Sequence, residues 1–250
     1  MRDGLIQTDN VIRGLSALNE LKRQHQVSPG RNLMVFEGLT GRGKTSFTEW
    51  YAVQDFKAVY LEANADWTSS WLMRDVAEAL KLTREHSIET NYRQIKEAQR
   101  RTPRLLLIDE ADRIIRSGRL LETVRGLHDA GMAIVLVAEA GAWGGITRKS
   151  PRFADRVCQV VEFGDVTAQE IEAAALELAD LRLTPELAAY VKQQAEGNFR
   201  RAAKIVEELE RVCKANPGEI TRNLVNLAVA NLKIAEERDR RRAARRAAAG

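Results

Sequence analysis

Residues Gly38, Leu39, Thr40, Gly41, Arg42, Gly43, Lys44 and Thr45 match the pattern G-x-x-x-x-G-K-[ST] at every position. Glycines at this spacing let backbone close around phosphate oxygens, and a helix starting there aims free N–H groups at the same anion. Lys44 would bridge β- and γ-phosphates, and the Thr45 hydroxyl would hold Mg²⁺. With Ser46 in the first helical turn, these residues form the candidate nucleotide-binding loop. A second group lies downstream, where the apolar run Leu105-Leu106-Leu107-Ile108 ends in Asp109 and Glu110. A strand of this kind delivers both acids to the sheet edge where ligands bind in open α/β folds. Asp109 would hold Mg²⁺ directly or through water, and Glu110 would orient and deprotonate an attacking water. The pair points to hydrolysis rather than to nucleotide binding alone.

These groups need elements to position them. Short apolar runs at Asn32–Glu37, Ala58–Ala63, Arg104–Asp109 and Ala133–Ala138, with a Val-rich fifth at Arg156–Phe163, read as strands. Helix-length segments Thr45–Val53, Ser70–Leu82, Ile88–Arg101 and Arg119–Ala130 lie between them. Near-continuous apolar strands alternating with helices predict a parallel sheet covered on both faces. An amphipathic helix, Thr8–Gln26, precedes the first strand, with Val11, Leu15, Leu18 and Leu21 spaced by three and four. After Phe163 the pattern is helical throughout: Thr167–Leu181, Thr184–Ala195, Asn198–Lys214 and Glu219–Ala235. Thr167 and Glu170 suggest a capping box, and Pro185 suits a first helical turn. The expected organisation is a helix and linker (1–30), an α/β domain (31–164), a small all-helical domain (165–236) and a basic Arg/Ala tail (237–250).

The chain has 250 residues, 44% of them hydrophobic and 30% charged, which suits a globular protein. The formal charge of +4 is unevenly placed: residues 238–250 carry +5, and the preceding residues −1. No apolar run approaches the roughly 20 residues of a membrane span, and the amino-terminal residues lack a secretory pattern. Two distant cysteines, Cys158 and Cys213, and three scattered histidines give no zinc spacing. A reduced, cytoplasmic protein without a membrane partner is the expectation. The low-complexity tail is expected to be frayed in isolation, although its Ala and Arg permit helix on binding.

The string Leu105-Leu106-Leu107-Ile108-Asp109-Glu110-Ala111-Asp112 resembles the Walker B segment of AAA+ ATPases, and the helical domain resembles their lid. Within that superfamily the chain resembles the B-type target-selection ATPases of transposable phages such as Mu, over roughly residues 5–235. The additional amino-terminal DNA-binding domain of Mu B has no counterpart here, so an independent DNA-binding module is not expected. The resemblance implies a P-loop domain with a parallel five-stranded sheet and a helical lid. ATP and Mg²⁺ would be its cofactors. It also implies a homo-oligomer, ring or helical filament, that binds duplex DNA without sequence preference, presents it to a transposase and disassembles on hydrolysis. Replication initiators, helicase loaders and clamp loader-like ATPases are the alternative within the superfamily. A P-loop small-molecule kinase and a non-hydrolysing scaffold are the readings outside these ATPases.

The resemblance marks further positions. Glu139 follows the fourth strand, where AAA+ proteins commonly place a polar Asn, Thr or Ser as sensor 1. Either it faces the phosphates, with slow hydrolysis as the consequence, or it points away; both placements are open. Arg156 resembles the arginine finger that acts on a neighbouring subunit's γ-phosphate, with Arg152 as the second candidate. Arg200 resembles sensor 2 in the lid, with Arg201 one residue behind it. DNA-contacting loops would contain Thr68 and Ser69, then Arg113, Arg116 and Arg119, with Arg148 and Lys149 and the tail as further phosphate contacts. Trp67 and Trp71 read as packing residues.

Overall fold

The computed structural model describes residues 6–27 and 30–247. All five apolar runs are strands: β1 (Leu33–Gly38), β2 (Ala58–Glu62), β3 (Leu105–Asp109), β4 (Ala133–Glu139) and β5 (Val157–Glu162). They pair in parallel in the order β2-β3-β4-β1-β5. Burial follows that order. β3 is buried throughout, and β1 and β4 are buried almost to their ends, whereas the edge strands β2 and β5 are partly open.

Alternate side chains of a strand point to opposite faces, and β1 shows both faces to be covered. Leu33 and Val35 join a cluster with Leu72, Leu121 and Ile146. Those residues come from helices α3 (Ser69–Ala79), α6 (Gly118–Asp129) and α7 (Ala142–Lys149). On the other face Phe36 meets Phe47 at 6.0 Å and Phe163 at 5.4 Å between ring centroids. Phe47 belongs to α2 (Lys44–Gln54), and α1 (Asp9–Val27) closes over it through Gly14. Helix α4 (Ile88–Arg101) packs beside α3, burying Ile95. Two single-turn helices, α5 (Asp112–Ile115) and α8 (Pro151–Ala154), complete this unit.

The chain divides into two compact units, Asp9–Gly164 and a second formed by residues 165–247 with residues 6–8. Helix α1 therefore belongs to the α/β unit. The second unit is helical: α9 (Ala168–Ala179), α10 (Pro185–Ala195), α11 (Phe199–Ala215) and α12 (Arg222–Ala247). Ile171, Val191, Ile205, Leu209 and Val225 are among its buried core. The expected capping box is present: Glu170 N donates to Thr167 Oγ1 at 3.2 Å, and Thr167 N donates to Glu170 Oε2 at 2.6 Å. Pro185 occupies the first turn of α10 behind a Thr184 cap.

Most of the basic tail is helical in the structure, because α12 runs unbroken from Arg222 to Ala247. Ala and Arg carry high helix propensity, and cations at a helix carboxyl end are favourable against its dipole. Among the described residues no helix is long and apolar enough to cross a membrane.

Two glycines separate packing from propensity. In an open helical position Gly→Ala stabilises by up to about 1 kcal/mol. A Cβ at Gly126 of α6 meets nothing within 4 Å, so Gly126→Ala should follow that rule. A Cβ at Gly14 would lie 2.6 Å from Phe47 Cε1, a ring fixed among Phe36, Tyr51 and Phe163. Gly14→Ala should therefore destabilise by about 1–3 kcal/mol. Urea unfolding of the two variants should move in opposite directions.

Candidate phosphate-binding site

The phosphate loop is shaped by the strand it leaves and the helix it enters. A Cβ on Gly38 would stand 2.3 Å from the carbonyl oxygen of Phe163, so the chain turns out of β1 only with glycine there. Gly43 has φ 89°, a left-handed conformation that glycine adopts without steric cost, and it starts α2. Asn10 of α1 holds the loop from behind: its Nδ2 donates to the carbonyl oxygens of Gly164 at 3.0 Å and Arg42 at 3.3 Å. Its Oδ1 accepts from Gly164 N at 3.0 Å. Sequence reasoning missed Asn10, since one polar residue in an amphipathic helix carries no signal of a distant partner. Leu39, Thr40 and Ser46 are exposed, Gly41 and Thr45 half-buried, and Arg42 buried.

Lys44 Nζ donates to the carbonyl oxygens of Gly38 at 2.6 Å and Leu39 at 3.0 Å, across the mouth of the loop. Burial pushes its ammonium below the usual lysine range, and Asp109, Asp112, Glu139 and Glu110 partly counter that shift. Those carboxylates stand at the same sheet edge. Asp109 is buried; its Oδ2 accepts from the Tyr60 hydroxyl at 3.1 Å and its Oδ1 from Glu110 N at 2.8 Å. Burial, and then the charge of Asp109, pushes the Tyr60 phenol well above its ordinary value, so Tyr60 stays a donor. Tyr60 was also missed, because nothing in β2 alone reveals that it faces the end of β3. Glu110 is exposed and has φ 53°, a strained conformation for a residue with a side chain.

Glu139 faces the loop. The Thr40 hydroxyl donates to its Oε1 at 3.3 Å, and its own backbone N–H donates to Asp112 Oδ2 at 2.9 Å. Of the two placements open in the sequence, the structure has the one that adds a negative charge beside the phosphate loop.

The arginines preceding β5 occupy the opposite edge. Arg156 Nε donates to Asp129 Oδ1 at 3.0 Å, and its Nη1 donates to the Arg152 carbonyl oxygen at 2.8 Å. Burial raises the Asp129 carboxyl, but hydrogen bonds from Arg156 and His128 outweigh it and hold the group below its ordinary value. Arg152 is exposed. A six-residue strand such as β5 spans roughly 20 Å, so neither arginine can reach the phosphate loop of its own chain. In the helical unit, Arg201 pairs with Glu196 at 3.1 Å, whereas Arg200 is exposed.

The candidate DNA loops have these internal contacts. The Thr68 hydroxyl caps α3 by accepting from Trp71 N at 3.2 Å, and Ser69 Oγ accepts from the Thr123 hydroxyl at 2.7 Å. Both hydroxyls accept within the fold, which leaves their own O–H groups as donors. The Trp67 indole is buried and donates to Asp75 at 2.8 Å, as a packing residue. Arg113 donates to the Ala63 carbonyl oxygen, and Lys149 donates to that of Arg116. The latter bond brings Lys149 to Arg116, and Arg116, Arg119, Arg148 and Lys149 are all exposed.

Comparison with known proteins agrees with this architecture. Residues 27–144 match a family described as an AAA domain. The ORC2 protein of Aeropyrum pernix, in ADPNP–ADP complexes, is similar with a TM-score of 0.68 at 16% identity, covering 92% of this chain and 70% of that one. The ORC1 protein of the same organism, in complex with DNA, gives 0.63 at 18%, covering 92% and 66%. Domain III of the Thermotoga maritima replication initiation protein DnaA gives 0.57 at 17%, covering 91% and 94%. No curated protein matches the chain. The fold is that of AAA+ P-loop proteins, a parallel five-stranded sheet with helices followed by a helical region. Nothing in the comparisons singles out the transposition branch.

Two measurements probe this unit. A carboxylate beside a terminal phosphate costs about 1 kcal/mol across water-like surroundings, or roughly fivefold in affinity. Glu139→Gln should tighten ATP by about that factor relative to ADP in titration calorimetry; an unchanged ratio would place Glu139 outside the reach of the terminal phosphate. The second concerns pH. Asn32 N donates to His128 Nε2 at 3.3 Å, and Asn32 Nδ2 donates to His25 Nδ1 at 2.9 Å. Both rings must accept, and burial lowers both imidazoles below their ordinary value. A histidine depressed in the fold stabilises it fully above the unfolded pKa and less as pH falls below about 6.5. The urea midpoint should drop between pH 7 and pH 5, and His128→Gln should flatten that slope.

Proposed function

We propose that this chain is a DNA-dependent AAA+ ATPase that works as an oligomer, of the replication-initiator, helicase-loader or clamp-loader kind. The observation that carries this reading is the shared sheet edge, where Lys44 on the phosphate loop stands among Asp109, Glu110 and Glu139. A loop that only bound nucleotide would need no strand delivering Asp109 and Glu110 beside it.

The donors present fit a hard divalent cation. Among the described residues no three His, Cys, Asp or Glu side chains gather as a metal set. One buried carboxylate with a hydroxyl suits Mg²⁺, which keeps water and phosphate oxygens as its other ligands. Thr45 and Asp109 would hold it, and when bound it would neutralise charge on the β- and γ-phosphates. The chain's own residues do the rest. Backbone N–H groups of the loop and of the start of α2 bind the phosphates, and Lys44 leaves its carbonyl contacts for them. Tyr60 orients Asp109. Glu110 takes a proton from the attacking water as the new P–O bond forms and the bond to the ADP oxygen breaks. Glu110 sits strained and exposed, free to meet water.

Arg152 and Arg156 lie too far from their own loop to act in cis, which supports catalysis across a subunit interface. Arg152 is the better candidate for the trans contact, because Arg156 is tied to Asp129. DNA contact is supported by the exposed Arg116, Arg119, Arg148 and Lys149, and by the similarity to an ORC1 protein solved with DNA. The structural likenesses to initiators favour a replication-type partner over a transposase. Delivery of target DNA to a transposase, implied by the sequence resemblance, has no structural observation of its own.

Glu110→Gln should lower ATP turnover by 10²-fold or more while leaving ATP binding intact, and Lys44→Ala should lose binding itself. Turnover of Glu110→Gln at the wild-type rate would overturn the hydrolytic assignment. Electron microscopy with duplex DNA should show rings or filaments with ATP and monomers with ADP; a monomer in both states would defeat the trans-acting arginine. Association of the ATP form with a replicative helicase supports the initiator-type reading, whereas association with a transposase would restore the target-selection one.

A further inference from the structure

We propose that one face of the carboxyl-terminal half of α12 is a duplex-DNA-binding surface, a stripe of five arginines that tracks the phosphate backbone. This deepens the proposed DNA association, on which it rests, by assigning it to a surface outside the α/β unit.

The last α12 residue in the buried core of the helical unit is Val229, and from Lys233 to Arg246 every side chain is exposed. At 1.5 Å per residue this leaves roughly 20 Å of helix that its own unit does not cover. The arginines there are not scattered. Arg238, Arg241, Arg242, Arg245 and Arg246 follow the spacing i, i+3, i+4, i+7, i+8, which at 100° per residue gathers them within an arc of about 140°. Arg240 falls on the opposite side, with Ala243, Ala244 and Ala247.

Folding does not explain the stripe. Like charges at i, i+4 destabilise a helix by a few tenths of a kcal/mol per pair. The ion pair recorded within the stripe is Arg241 with Glu237, at 3.9 Å and with both side chains largely exposed. Such an arrangement is favourable when a polyanion lies along it.

The chemistry selects among polyanions. A membrane-surface helix needs bulky apolar residues opposite its cations; here that side holds alanines and Arg240. A protein partner is held by aromatic or aliphatic anchors at the interface centre; in the exposed segment Ile234 alone is of that kind, and it precedes the first stripe arginine. Binding to a phosphate backbone needs no anchor, because counterion release supplies the free energy. Alanines keep this segment slim, and a helix about 10–12 Å across is admitted by a major groove about 12 Å wide. The stripe contains no Asn or Gln to read adenine, and the proposed role of its arginines is contact with phosphate rather than with guanine edges. The rest of the chain is close to neutral, which makes the stripe a local source of affinity.

The test is fluorescence anisotropy of a labelled 30-base-pair duplex with the full chain and ATP, repeated across salt concentrations. In one variant Arg238, Arg241, Arg242, Arg245 and Arg246 are all changed to Gln, which keeps helix propensity. In the other Arg240→Gln removes one charge from the opposite side. If each stripe arginine neutralises one phosphate, the slope of log K against log salt should fall by about 4.5 in the first variant, since each contact contributes about 0.9. Affinity near 0.1 M salt should fall at least tenfold. Arg240→Gln should change affinity less than twofold. ATP binding and helical circular dichroism, measured on the same samples, should match wild type. Wild-type affinity and slope in the five-residue variant would overturn the proposal; if that binding still required ATP, the DNA-dependent ATPase reading would survive with its surface elsewhere. Failure of the wild-type chain to bind duplex DNA, or tighter binding to polyglutamate than to DNA, would overturn it in favour of an acidic protein partner.

Discussion

Parallel pairing sends the carboxyl ends of all five strands to one edge, and in this chain each of those ends carries a carboxylate: Glu37, Glu62, Asp109, Glu139 and Glu162. The register sharpens the conflict by setting Glu62 beside Asp109 and Glu37 beside Glu162. Neighbouring like charges in a sheet are destabilising, so the edge must be compensated by what folds over it. Several backbone N–H groups do so one bond at a time. Trp143 donates to Glu37, Glu110 to Asp109, and Glu139 to Asp112. The Tyr60 hydroxyl and the Lys44 ammonium complete the set. What results is an anionic frame around a loop built to hold anions, and a divalent cation is the complement that such a pairing calls for.

The same sheet separates two kinds of cation. Lys44 belongs to the carboxyl edge, whereas Arg152 and Arg156 sit at the amino edge of β5. Strand length alone keeps them apart. The proposed catalytic set is therefore incomplete within one chain, and that separation is what supports the proposed oligomer. At the amino edge, Asp129 gathers Arg125, Arg156 and the neutral His128. Through Arg156 Nη1, which donates to the Arg152 carbonyl oxygen, that network reaches the loop carrying Arg152.

Charge in the helical unit obeys another logic. Its four helices bury Ile171, Val191, Leu209 and Val225 as an ordinary bundle would. Helix α12 then continues for several turns after its contribution to that core has ended. Helix propensity sustains it there, and the arginine register gives it one charged face. The overall +4 charge thus describes neither unit, because the cationic excess is concentrated on the outer part of one helix.

Local pattern was enough to determine much of this protein. The phosphate loop, the Asp109–Glu110 pair, five strands within a residue or two of their ends, and the capping box at Thr167 all depend on neighbours in sequence. Helices α5, α7 and α8, at four to eight residues, are too short to leave a periodic signal. Partnerships across the sheet were invisible for a different reason. Asn10 with Gly164, Tyr60 with Asp109, and Arg156 with Asp129 join residues separated by 154, 49 and 27 positions. Glu139 shows the division most plainly. The sequence established that a carboxylate follows β4, but parallel pairing with β1 brings it beside Thr40, so only the tertiary structure decided that it faces the phosphate loop.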